Sequence, residues 1–140
     1  MIDPAADRQT VTIERRIAAA PEKIWRALTQ PELLAEWLMK NNFQPVVGQR
    51  FTLQRIAGDV TVAIDCEVLE VDMNRTLSYS WEAFGVQTVI TFSLTPADGG
   101  TVLRMEHTGF RPEQRSAFKG ARAGWLEFFD QLDELVAHIQ

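Results

Sequence analysis

Cysteine is almost missing from this chain. Cys66 is the only one in 140 residues, so no internal disulfide can form, and the chain suits a reducing compartment. Histidine is nearly as scarce. His107 and His138, with that single cysteine, compose no recognisable metal motif. Positive charge is in deficit: 14 Lys and Arg against 19 Asp and Glu leave a net charge of −5. A phosphate-backbone partner needs a basic surface, so nucleic acid is not expected. The cations Arg111, Arg115, Lys119 and Arg122 do cluster, but four cations along one helix read as a solvated face. No apolar run approaches the ~20 residues of a membrane span, and the opening MIDPAADRQT is too polar for a signal peptide. A soluble, cytoplasmic protein with no membrane partner is expected. Catalytic signatures are missing as well. No Gly-rich loop follows a strand to cradle phosphate, and Ser78 and Ser80 stand on no nucleophile elbow. Asp65 and Glu67 share the wet face of a strand, so no inward carboxylate pair suggests glycosidase-like chemistry. No cofactor and no metal are expected.

What is present is strong periodicity within one domain, read as residues 9–140 after a frayed tail of residues 1–8. Near the C-terminus Trp125, Phe128, Phe129, Leu132, Leu135, Val136 and Ile139 recur at three- and four-residue steps. That is one stripe of a helix, with Glu127, Asp130, Asp133 and Glu134 on the other face. Gly120 and Gly124 each weaken a helix interior by ~1 kcal/mol relative to alanine. A short first helix and a kink near Gly120 are therefore expected before the long one.

The rest of the chain alternates. Val11, Ile13 and Ile17 mark a first strand. Pro21 and Pro31 each suit a first helical turn, where the missing N–H is no loss, and they open two short helices joined in an elbow. Residues 40–48 read as loop. Then come about five strands. Phe51 and Leu53, with Arg55 sharing their parity, mark the first; Val60, Val62, Ile64, Cys66 and Val68 the second; Leu77, Tyr79 and Trp81 the third. Thr88, Ile90, Phe92 and Leu94 mark the fourth, and Leu103, Met105 and His107 the inward face of the fifth. Parity changes near Leu69, which suggests a bulge. Pro96 to Gly100 with its Asp98-Gly99 pair is the strongest turn signal. The predicted fold is α+β: one antiparallel sheet covering a long C-terminal helix.

Four stretches, in this order, resemble a known family: AAAPEKIWRALTQPELLAEWL, GDVTVAIDCEVLEVDMNRTLSYSW, GGTVLRMEHTGF and GWLEFFDQLDEL. Together they resemble the START/Bet v 1-like (SRPBCC) superfamily, and within it the branch named after the activator of Hsp90 ATPase. The resemblance implies a helix-grip fold, with a curved sheet wrapped around the C-terminal helix and two small helices across one end. It also implies a space between sheet and helix that often holds an apolar or amphipathic molecule. The chain departs from the pattern at Gln30, a weaker helix cap than aspartate, at Gln49 in place of a second glycine, and at Phe128-Phe129, bulkier than the usual aliphatic pair.

His107 is the candidate of most interest, because a histidine on an apolar face needs hydrogen-bond partners. It reads either as a donor orienting a ligand or a general base, or as a core histidine satisfied by Tyr79, backbone or water. Trp37, Trp81, Phe92, Met105, Trp125 and Phe129 are the candidate walls of a pocket beside it, and Tyr79 is a candidate donor that could equally end at the sheet's rim. Each aromatic reads equally as plain core. A binding domain for a small hydrophobic molecule, monomeric or homodimeric, is the leading expectation. A co-chaperone-like interaction module and a cyclase or hydrolase with His107 as base are its rivals.

Overall fold

Residues 9–139 are described in a computed structural model; the expected tail, residues 1–8, lies outside them. The alternating start forms β1 (Gln9–Ile17). Both prolines stand in first turns, of α1 (Pro21–Thr29) and α2 (Pro31–Trp37). Gln30 joins the two helices in extended backbone, and its side chain caps neither. The elbow is held instead by the Trp37 indole, whose Nε1–H donates to the Ala27 carbonyl at 2.8 Å. There follow β2 (Lys40–Asn41), β3 (Arg50–Ala57), β4 (Val60–Asp72), β5 (Thr76–Ala83), β6 (Val86–Ala97) and β7 (Gly100–Phe110). After a 3-10 turn, Pro112–Gln114, the chain enters α3 (Arg115–His138).

The strands form one seven-stranded antiparallel sheet in the order β1-β7-β6-β5-β4-β3-β2. It curves around α3, so the fold is the α+β helix grip that the resemblance implied. Inward residues of successive strands (Val68, Leu77, Ile90, Phe92, Leu103, Met105) are fully buried, as are Trp125, Phe129, Leu132 and Val136 on α3. Trp37 of α2 meets Phe92 and Phe129 edge-on at 6.2 and 6.5 Å between ring centres, which closes one end of the core. Arg15 of β1 bridges Asp130 and Asp133 at 2.8 and 3.0 Å and lies over the Phe129 ring. These contacts tie the second half of α3 to the sheet edge.

The bulge near Leu69 is present as a register shift between Val68 and Glu70. The Asp98-Gly99 turn is also present, between the paired residues Ala97 and Gly100, with Gly99 at φ +76°. Two local expectations differ from the structure. Lys40 and Asn41, read as loop, pair with Gln54 and Leu53, and Asn42 Oδ1 accepts the Thr52 N–H at 2.8 Å. Two residues are too few to show a period. The kink expected near Gly120 is absent as a break, because α3 runs unbroken from Arg115 to His138. Propensity counts only the local cost of glycine, and packing of the aromatic stripe outweighs it.

Two glycines should respond in opposite ways. A Cβ on Gly100 would collide with the Ile17 carbonyl, whereas one on Gly120 would meet nothing within 4 Å. Gly100→Ala should lower the stability read from urea unfolding by about 2 kcal/mol or more. Gly120→Ala should raise it by about 0.5–1 kcal/mol.

Candidate functional site

The face that α3 turns to the sheet changes size along its length. Ala117, Gly120, Ala121 and Gly124 occupy the first half; Trp125, Phe129, Leu132 and Val136 occupy the second. The large side chains fill the space beneath them, and the small ones leave it open. The result is a cavity of about 380 Å³ under the first half of α3. Its floor is Val62, Ile64, Trp81, Thr88 and His107, and Phe110 and Phe128 also line it. Arg55 and Phe84, both exposed, stand where it opens to solvent. Phe84 is 86% exposed and sits at φ +53° in the turn between β5 and β6.

His107 is 2% exposed, and both of its ring nitrogens are engaged. The Trp125 indole N–H donates to Nδ1 at 2.9 Å. An indole nitrogen can only donate, so Nδ1 carries no proton and the neutral ring bears its proton on Nε2. That nitrogen lies 2.7 Å from Thr88 Oγ1, and the Thr88 hydroxyl donates in turn to the Trp81 carbonyl at 2.8 Å. The chain of donors runs one way, from helix to ring to strand. Burial lowers the His107 pKa from 6.5 to about 3. A base at this position would first have to release the indole, since its free lone pair is the one the indole N–H holds.

The structure brings His107, Trp81 and Trp125 together on the cavity wall, with Trp81 5.5 and 5.4 Å from the other two rings. Trp37, Phe92, Met105, Phe129 and Tyr79 lie in the packed core and do not line the cavity. Phe128 narrows the cavity, whereas Phe129 packs against Trp37 and Trp125. Tyr79 is surrounded by Phe43, Phe51 and Phe92. Its buried hydroxyl has no partner among the described residues, and burial holds its pKa well above the usual value. Burial, followed by the charge of Asp65, pushes the Cys66 thiol up to about 12, so it is no thiolate at neutral pH.

Sequence reasoning placed Thr88 inward without pairing it to His107, although the two residues share inward parity on strands that prove to be neighbours. It read Gly120 and Gly124 as weakness. The available signal was their spacing with Ala117 and Ala121, a stripe of small residues continuous with the aromatic one.

The buried imidazole makes stability depend on pH. The unfolded chain takes up a proton near pH 6.5 that the folded chain refuses until about pH 3. This contribution is complete above pH 6.5 and is lost as pH falls through that window. Urea unfolding should show a loss of about 2 kcal/mol from this group between pH 7 and pH 5. His107→Gln should lack that part of the slope.

The profile of the family described as "Activator of Hsp90 ATPase homolog 1-like protein" matches residues 18–137. Among solved structures, protein MLL2253 from Mesorhizobium loti is 50% identical, with a TM-score of 0.88 over 94% of this chain and 99% of that one. A Rhodobacter sphaeroides protein is 28% identical, with a TM-score of 0.80 over 94% and 93% of the two chains. CalU16 from Micromonospora echinospora shares the fold at 21% identity, with a TM-score of 0.78 over 94% of this chain and 78% of that one. No curated protein matches the chain.

Proposed function

The chain belongs to the activator of Hsp90 ATPase homologue 1-like family of SRPBCC helix-grip domains, and from that premise we propose that it binds a small apolar molecule between the sheet and α3. The observation that carries this reading is the cavity under the small-residue half of α3, about 380 Å³ in volume. That is near the lower end of the ~300–1,000 Å³ usual for small-molecule sites. Its polar floor makes no demand on a ligand, because His107, Thr88 and Trp125 already satisfy one another. Selection then rests on shape and apolar area. Burying about 200 Å² of ligand would contribute roughly 5 kcal/mol, from which ordering costs are subtracted.

The test is thermal unfolding of ligand-stripped protein across a panel of apolar and amphipathic small molecules. A ligand at about 100 times its Kd should stabilise by ~2.7 kcal/mol, a Tm rise of several degrees for a domain of this size. Ala121→Phe, which places a ring in the cavity roof, should keep the fold and abolish the shift. A shift that survives Ala121→Phe would put binding elsewhere. No shift with any class would defeat the reading and favour a co-chaperone-like interaction module.

A further inference from the structure

The cavity mouth carries a charge that apolar binding does not use. Among the described residues Arg55 is the one charged residue lining the cavity, and no acid lines it. It shares the inward parity of Phe51 and Leu53 on β3, yet it is exposed, which puts the residue where the cavity meets solvent. It forms no ion pair with any described residue. The exposed side of the helix above it has the same sign. The part of α3 that roofs the cavity carries Arg115, Lys119 and Arg122 and no acid from Arg115 to Leu126. The acids Glu127, Asp130, Asp133 and Glu134 follow only where α3 packs tightly, and two of them are already paired with Arg15. In a chain of net charge −5, one long helix is basic over the cavity and acidic away from it.

Building on the apolar-cavity reading, we infer that the ligand is an anionic amphiphile: an apolar body inside the cavity and a single acidic group, such as a carboxylate, at its mouth against Arg55. A guanidinium meets a carboxylate with two parallel N–H donors. The apolar body would lie over Trp81 and beneath Gly120 and Ala121, where no polar group competes for it. The imidazole, held neutral and fully hydrogen-bonded, offers the acidic group nothing deeper in. The head group therefore stays at the rim.

The experiment compares three probes of matched length on the full chain: decanoate, decanol and decylamine. Binding is read by titrating the tryptophan fluorescence, since Trp81 and Trp125 line the cavity. Decanoate should bind about tenfold more tightly than decanol, the usual scale of a charge-assisted hydrogen bond, and decylamine should bind more weakly than either. Raising the ionic strength should shrink the preference. Arg55→Gln should remove it while decanol binds as before, and Arg55→Lys should restore part of it. Equal affinity for decanoate and decanol would overturn the inference and leave the apolar-cavity reading standing. A preference that survives Arg55→Gln but is lost in the Lys119→Gln, Arg122→Gln double variant would overturn the assignment to Arg55. Failure of all three probes to bind would overturn both readings together.

Discussion

The structure depends on the hydrogen bond from the Trp125 indole to His107 more than on any other polar contact. Apolar packing has no direction, so an aromatic stripe alone would let α3 settle in several rotations over the sheet. A hydrogen bond has direction, and this one joins a helix residue to a ring fixed on β7 and braced by β6. Turning α3 by one residue, about 100°, would break it and leave the buried His107 Nδ1 without a donor, at a cost of about 1–3 kcal/mol. Trp125 also stands where small residues give way to large ones on the inner face of α3. The bond therefore pins the boundary between filled core and open cavity.

The two halves of α3 divide the work. Beyond Trp125 the helix is held by close packing against α2 and the sheet, and by the Arg15 pairs at the edge. Exposed pairs of that kind contribute little energy, ~0–1 kcal/mol, but they set the helix end. Before Trp125 the helix spans an opening, with Ala and Gly where Leu or Phe would otherwise fill it. Here the cavity follows from the choice of residues on one face of one helix.

Much of this was legible from the order of residues. Period-two alternation put Leu103, Met105 and His107 on one inward face, and period 3.6 assigned the aromatic face of α3. Parity states which face a residue takes but not what lies opposite it. Trp37, Phe92, Met105 and Phe129 point inward where the core is filled, whereas Trp81 and His107 point inward beside Trp125 at the border of the cavity. That difference depends on the height of α3 over the sheet, a tertiary fact with no local signature. Tyr79 shows the same limit, since its parity left a ligand donor and a place at the sheet's rim equally open, and its neighbours are the phenylalanines of the buried core. The small residues at 117, 120, 121 and 124 were visible, but helix propensity weighs each alone, and their meaning lies in standing together on one face.

The strand order carries a consequence for how the chain is assembled. β1 sits at the edge of the sheet, and its neighbour there is β7, so that Ile13 pairs with Met105. On a ribosome adding about 5–20 residues each second, β1 emerges several seconds before the strand it needs, and α3 follows later still. Hairpins from β3 to β7 can zip up locally in the meantime. The closing contacts span most of the chain, and contacts of such long separation slow folding. Until α3 arrives, the hollow of the sheet is bare apolar surface. The nascent domain thus passes through an interval in which the whole inner face that α3 will cover lies open to solvent.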